Sequence, residues 1–193
     1  MRKVSYLYND SITHYHFSKE HPMKTKRIKM AHSLIQNYEL CDYLTMFQSK
    51  EASKDELNLF HDPYYVDYLE KWVTGKKDEL VSTYKDDEKR KIRDDTKLKS
   101  IFKVNQSFDC PGFDGLYHFC QLAAGGSIDA ADIVLTGISD IVINWAGGYH
   151  HAKKAEASGF CYVNDIVICI LELLKVHPRV LYLDIDVHHG DGV

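Results

Sequence analysis

Residues 141–151 read IVINWAGGYHH: a short apolar run passes directly into a glycine turn and then into two adjacent histidines. A second run of this kind, residues 180–192, reads VLYLDIDVHHGDG and also leads into a pair of histidines. Short continuous apolar runs are typical of strands that are buried on both faces of a parallel sheet. Ligands of such sheets bind beyond the carboxyl ends of the strands, so both histidine pairs are predicted to share one site.

Helical patterns alternate with these strands along the chain. Residues 3–8 are β-prone, and apolar residues recur at helical spacing in the segment that follows Pro22. Residues 63–73 and 115–135 are predicted as two further helices. Residues 163–177 carry apolar side chains on nearly every helical face, which indicates a helix packed on both sides. Alternation of helices with buried strands predicts an α/β fold with a parallel sheet.

The composition is that of a soluble globular protein, because 45% of the 193 residues are apolar and 27% are charged. This length suits one domain or part of one. The 24 basic and 28 acidic residues give a net charge of −4, which provides no charge-driven affinity for nucleic acid or for an anionic membrane. Residues 76–103 concentrate charge with little apolar content, and they are predicted to form a charged surface connection within the domain.

The cysteines indicate a reducing compartment. There are five, an odd number, and none of them forms a C-x-x-C pair, so a secreted disulfide scaffold is disfavoured. No charged and apolar leader precedes Val4, and no apolar run approaches the roughly 20 residues that a membrane span needs. We therefore expect a protein of the cytosol or the nucleus that has no membrane contact.

The second apolar run continues into three side chains that can bind metal. In an extended segment, residues i, i+2 and i+4 project to one side, so Asp184, Asp186 and His188 can converge on one point. Carboxylate oxygen and imidazole nitrogen suit zinc or another first-row divalent metal. Such a metal would acidify water, and His150 or His151 could take the proton during attack on a carbonyl. The sequence thus indicates metal-assisted amide hydrolysis.

The spacing alone does not decide which of these residues bind metal and which transfer protons. It also leaves a structural interpretation, in which Asp184 and Asp186 cap helices or turns and the histidines are satisfied core residues. Two histidine pairs at the ends of separate strands make that interpretation the weaker one.

Four motifs, in order along the chain, resemble those of class I zinc-dependent histone deacetylases of the Rpd3-like type. Residues 145–165 (WAGGYHHAKKAEASGFCYVND) match the family's signature nearly letter for letter, and residues 184–192 match the motif that follows it. Residues 21–24 (HPMK) with Arg27 resemble the N-terminal motif, and residues 109–115 (DCPGFDG) resemble the central one. Chance agreement over four spaced motifs is negligible.

The resemblance implies a three-layer parallel sheet of the arginase/deacetylase type. Residues 1–193 would then be the N-terminal part of a single catalytic domain, incomplete because its C-terminal strands are absent. Asp186 and His188 are implied to be zinc ligands, with the third ligand beyond the chain end. His150 and His151 are implied to carry the acid–base work.

Two further carboxylates receive supporting roles from the same resemblance. Asp184 is implied to pair with His150 and to help hold a structural potassium ion, and Asp191 is implied to orient His151. Partners of this kind fix the tautomer and the basicity of an imidazole.

The resemblance also implies where a substrate would lie. Gly159 and Phe160 match residues of the narrow tunnel that takes the acetyl-lysine stem, where an aromatic wall suits an apolar chain. Asp109 matches a rim carboxylate that accepts backbone N–H groups of the substrate peptide. Arg27 matches an arginine of the internal cavity, and Lys24 resembles a residue that binds inositol phosphate at the corepressor interface.

The activity implied by the resemblance is hydrolysis of N-acetyl-lysine on histone tails, with transcriptional repression in corepressor complexes in the nucleus. A chain that ends at Val193 has an alternative interpretation, as a catalytically dead remnant or a corepressor-binding module. An acetylpolyamine amidohydrolase is the second alternative. A manganese arginase is weaker, because its pattern lacks the Gly-Phe-Cys sequence of residues 159–161.

Overall fold

The computed structural model describes residues 2–72 and 95–193. Its sheet has three parallel strands in the order β2-β1-β3. The strands are β1 (Val4–Leu7), β2 (Thr45–Phe47) and β3 (Ile141–Asn144). β1 is central, because Ser5 pairs with Thr45 on one side and with Val142 on the other. The α/β fold with a parallel sheet that the sequence predicts is confirmed.

Helices follow each strand in the chain. They are α1 (Lys26–Asn37), α2 (Lys54–Leu57), α3 (Pro63–Trp72), α4 (Asp95–Phe102), α5 (Leu116–Leu135) and α6 (Asp165–Leu174), with 3-10 helices at Asp10–His14 and Leu40–Tyr43. α6 begins where the Asn164 side chain accepts a hydrogen bond from the backbone N–H of Val167 at 3.1 Å, which satisfies one of the free donors of the first turn. The helices predicted after Pro22 and over 63–73, 115–135 and 163–177 are confirmed, with ends that differ by a few residues.

The long helix α5 forms the centre of the core and packs against α6 and β3. Its two glycines occur at positions of close approach. A Cβ at Gly125 would lie 2.0 Å from the carbonyl oxygen of Lys50, and one at Gly126 would lie 2.9 Å from Nδ2 of Asn144. Backbone atoms leave no room for a side chain at Gly125, and a side chain at Gly126 would displace the Asn144 amide. The two glycines therefore bring α5 close to the end of the sheet and to the loop that follows β2.

Two strand assignments differ between sequence and structure. The strand predicted over 180–183 is wrong, because the structure has no strand there and leaves Leu181 and Leu183 90% and 79% exposed. No described segment covers these side chains, so they are exposed and not buried as the apolar run predicted. The sequence also gave no sign of β2, which has only three residues, two of them exposed.

The range 76–103 is only partly described. Its last part forms α4, whose Leu98 and Phe102 are buried in the core, so that part is packed structure and not the solvated connection that its charge predicted. The remainder, 76–94, lies outside the described residues. Within 2–72 and 95–193, no helix is long and apolar enough to cross a membrane.

Candidate active site

The loop that follows β3 is held by one buried carboxylate. Asp165, 1% exposed at the start of α6, accepts hydrogen bonds from the backbone N–H groups of Gly148 (3.0 Å) and Tyr149 (2.8 Å). The Ser127 hydroxyl of α5 donates a third bond at 2.5 Å. Burial raises the pKa of Asp165, and these hydrogen bonds oppose that rise. The loop before the first histidine pair is therefore fixed to two helices.

Glycine is required where the loop wraps this carboxylate. A Cβ at Gly147 would lie 2.3 Å from Oδ2 of Asp165, and Gly148 has a φ of 98°, which other residues rarely adopt. The glycine turn noted in the sequence thus has a structural cause. It delivers His150 and His151, the next two residues after Tyr149, to the carboxyl end of β3.

The segment 184–193 lies against this loop, so the structure brings the two predicted groups together. Nδ1 of His150 is 2.7 Å from Oδ2 of Asp184, and Nδ1 of His151 is 2.7 Å from Oδ1 of Asp191. The backbone N–H of Gly192 also donates to the carbonyl oxygen of His150 at 2.9 Å. Each histidine therefore has its own carboxylate partner, supplied by residues 34 and 40 positions further along the chain.

Both carboxylates are held in the ionised form. The hydrogen bond from His150, aided by one from the Tyr182 hydroxyl, holds the pKa of Asp184 well below its usual range. Hydrogen bonds from Lys153 and then His151 lower the pKa of Asp191 to about 2. An ionised carboxylate can only accept, so Nδ1 of each imidazole carries the donated proton. Nε2 of a neutral ring is then left as a proton acceptor.

A cavity of about 390 Å3 adjoins the histidines. Its lining includes most of the residues that the sequence singled out, namely Arg27, Asp109, His150, His151, Gly159, Phe160, Asp186 and His188. Asp184 and Asp191 contact the imidazoles and are not part of the lining. The candidate proton-transfer groups and the candidate ligands thus share one space.

Asp186 and His188 are adjacent in that space. Nδ1 of His188 is 3.0 Å from Oδ1 of Asp186, and the His188 backbone N–H donates to the same oxygen at 2.8 Å. These two contacts lower the pKa of Asp186. The pair suits zinc in the type of donor. It falls short in number, because a catalytic zinc ordinarily takes three protein ligands and no group of three or more such side chains occurs within 2–72 and 95–193.

The residues predicted to form the substrate wall pack tightly against His151. A Cβ at Gly159 would lie 2.5 Å from Cδ2 of His151, and both Gly159 and Phe160 have positive φ, at 49° and 70°. The Phe160 ring packs edge-on against the ring of His21 with centroids 4.6 Å apart, and Nε2 of His21 lies 3.2 Å from the carbonyl oxygen of Asp109. His21 thus joins the predicted wall to the predicted rim.

Lys24 lies outside this cavity. It lines a second one of about 610 Å3, together with His16, Ser18, Lys19, Thr25, Lys26, Arg27 and Met30. Its Nζ donates to the carbonyl oxygen of Lys19 at 2.9 Å. Arg27 borders both cavities.

Comparison with known proteins identifies the family. The model of the histone deacetylase domain matches residues 21–193. The chain belongs to the histone deacetylase family. Histone deacetylase RPD3 of Saccharomyces cerevisiae is 47% identical to it over 192 residues, and histone deacetylase clr6 of Schizosaccharomyces pombe is 46% identical over 195. Histone deacetylase 1 of Homo sapiens is 45% identical over 195 residues.

Each of these alignments covers 100% of this chain. They cover only 40% of RPD3, 43% of clr6 and 36% of the human protein. The chain thus spans about two fifths of the relatives it matches. The resemblance to Rpd3-like deacetylases that the four motifs indicated is confirmed, and so is the expected fold type.

Sequence reasoning missed three residues of this candidate site. Asp165 and Ser127 hold the histidine loop, and Lys153 donates to Asp191. Asp165 stands inside a quoted motif, where an acidic residue at the start of a helix is ordinary. Its complete burial is the distinguishing property, and the sequence does not reveal it.

Proposed function

We propose that this chain supplies the acid–base part of a zinc-dependent histone deacetylase, and that the full-length protein hydrolyses N-acetyl-lysine on histone tails. One observation carries the proposal. Two imidazoles, each hydrogen-bonded through Nδ1 to an ionised carboxylate, line the same cavity as the Asp186 and His188 donor pair. The printed names of the relatives support the substrate class.

The zinc site is proposed to consist of Asp186, His188 and a third ligand from residues that follow 193 in the full-length protein. A bound zinc ion would polarise the acetyl carbonyl and make a water molecule more acidic. A structural potassium ion beside Asp184 is proposed from the family resemblance. The zinc assignment is supported by the short distance between Oδ1 of Asp186 and Nδ1 of His188.

The histidines are proposed to move the protons. With Nδ1 bound to Asp191, Nε2 of a neutral His151 can accept a proton from the attacking water. The C–N bond of the amide then breaks, a proton passes from an imidazole to the lysine nitrogen, and acetate is the second product. Asp184 holds His150 in the same tautomer, so the two rings can share these transfers.

The substrate is proposed to enter along the wall of Gly159 and Phe160. The aromatic ring suits the four-carbon stem of lysine, and Asp109 at the rim would accept backbone N–H groups of the peptide. Arg27 is proposed to line the internal part of the cavity. Their presence in one cavity lining supports these roles.

The remaining assignments concern the setting of the enzyme. We propose that 1–193 is the N-terminal part of a single catalytic domain that acts in the nucleus, in chromatin regulation and transcriptional repression with corepressor subunits. Lys24 is proposed to bind inositol phosphate. The basic lining around it, with Lys19 and Lys26, supports an anionic ligand there.

The proposed function is tested by a pair of substitutions in the full-length protein, with zinc content and turnover on an acetyl-lysine histone peptide as readouts. His151→Ala is expected to lower turnover by about 10² to 10⁴ while zinc stays bound, because the residue transfers protons. Asp186→Asn is expected to lose zinc as well as turnover.

His177→Ala is the matched control, since His177 is exposed in the segment after α6 and is not part of the cavity lining. It should leave both readouts unchanged. Loss of zinc in His151→Ala, or full zinc in Asp186→Asn, would contradict the assigned roles.

A further inference from the structure

Both carboxylate oxygens of Asp191 are engaged, by two different residues. Oδ1 lies 2.7 Å from Nδ1 of His151, and Oδ2 accepts a hydrogen bond from Nζ of Lys153. The same ammonium donates to the backbone carbonyl oxygen of Asp191 at 2.6 Å. A carboxylate held by one oxygen can rotate about its side-chain bonds, whereas one held by both oxygens and by its own backbone has a fixed plane.

Lys153 is itself presented from a fixed segment. Its backbone N–H donates to the carbonyl oxygen of Glu156 at 3.0 Å. On either side, the carbonyl oxygen of Ala152 accepts from the Asn164 side chain at 3.0 Å, and that of Lys154 accepts from the backbone N–H of Asp62 at 2.9 Å. The base of the Lys153 side chain is therefore tied to the start of α6 and to the segment before α3.

We infer that Lys153 is a positioning residue, which fixes Asp191 and through it orients the imidazole of His151 toward the attacking water. This inference rests on the proposed function and deepens it. Lys153 is not part of the cavity lining, so it would act on His151 only through Asp191. Lys153 is also the largest cause of the low pKa of Asp191, so it keeps that carboxylate an acceptor for His151.

A purely structural role would have a different consequence. The Lys153 and Asp191 side chains are 30% and 42% exposed, and ion pairs at that exposure contribute little to stability. Loss of Lys153 should therefore affect catalysis and leave folding nearly unchanged. Small misplacements of a proton-transfer group can cost up to about 10²-fold in rate.

The test uses Lys153→Met and Lys153→Arg in the full-length protein with zinc bound. For Lys153→Met we expect a fall in kcat of about 10- to 100-fold, because the contact that holds Asp191 in place beside His151 is lost. KM for the acetyl-lysine peptide, zinc content and Tm should stay close to wild type. Lys153→Arg should recover part of the lost kcat, since it can still donate to Asp191.

A double-substitution cycle separates positioning from an independent effect. If Lys153 acts through Asp191, adding Lys153→Met to Asp191→Asn should lower kcat no further than Asp191→Asn alone. Lys154→Met is the matched control, because Lys154 is exposed and its recorded contacts are made by the backbone. Wild-type kcat in Lys153→Met, or additive losses in the double variant, would overturn the inference.

A second readout does not depend on turnover. In protein labelled with 15N-histidine, the Nδ1–H resonance that disappears in His151→Ala belongs to the bond with Asp191. It should be sharp in wild type and broadened in Lys153→Met, and an unchanged resonance would overturn the inference. Absence of deacetylation by wild type would instead refute the proposed function, while this resonance would still decide the role of Lys153.

Discussion

Asp184 and Asp186 stand two residues apart and contact different groups. Asp184 accepts hydrogen bonds from Nδ1 of His150 and from the Tyr182 hydroxyl. Within the described residues, the only side-chain hydrogen bond of Asp186 is with His188. Alternation in an extended segment had left both as candidate ligands. Their positions separate them, because Asp186 and His188 line the cavity together, whereas Asp184 contacts His150 from outside that lining.

Asp184→Asn is expected to weaken activity while zinc stays bound. The neutral amide replaces a carboxylate whose pKa is held low by His150, so the orientation and charge support of that imidazole are lost. Losses of this kind are typically 10- to 100-fold. Turnover and zinc content of the purified full-length variant provide the check. If the variant loses zinc while His150 keeps its orientation, Asp184 is a zinc ligand and this prediction is wrong.

At the scale of elements, the sequence predicted those parts whose pattern is local. α5 and β3 carry long or continuous apolar patterns, and the structure has them nearly where they were expected. β2 has three residues and leaves no pattern to recognise. The site shows the same limit: both His–Asp contacts join residues 34 or 40 positions apart, and only the resemblance, not the spacing, indicated them.

His61 joins the loop before α3 to two later segments of the chain, and its titration makes the stability depend on pH. It is 1% exposed, its Nε2 accepts from the backbone N–H of Asn164 at 2.9 Å, and its Nδ1 lies 3.2 Å from the carbonyl oxygen of Lys154. Nδ1 must carry a proton to donate to Lys154, and Nε2 must lack one to accept from Asn164. The two bonds therefore exist together only while the ring is neutral. Burial lowers the pKa of His61 to about 4.

The unfolded chain therefore binds a proton at His61 below its ordinary pKa of about 6.5, and the folded chain does not until pH 4. The His61 contribution is complete above pH 6.5 and is lost as the pH falls toward 4. Between pH 7 and pH 5 we expect the free energy of unfolding to drop by about 2 kcal/mol from this group. Denaturant unfolding at both pH values measures it, with His61→Gln as the reference that cannot titrate. An equal drop in both proteins would show that His61 is not the cause.

At the scale of the whole molecule, one face of the described chain is apolar and uncovered. Leu181, Leu183, Ile185 and Val187 alternate along one segment and are 79% to 92% exposed. Asp186 and His188, the proposed zinc ligands, belong to the same segment, so we expect whatever covers this face to fix the proposed metal site as well. The relatives that it matches are more than twice as long as this chain. Burial of apolar surface contributes about 25 cal/mol per Å2, so the loss from an uncovered face is substantial.

The most direct measurement compares the full-length protein with a protein limited to residues 1–193, each assayed for bound zinc and for turnover on an acetyl-lysine histone peptide. The account predicts one catalytic zinc per chain and deacetylation by the full-length protein only, because the described residues supply two donors and the proton-transfer groups. The shorter protein should bind zinc weakly and aggregate through the exposed face. Full zinc binding and turnover by residues 1–193, or a zinc-loaded full-length protein without deacetylation, would contradict the account.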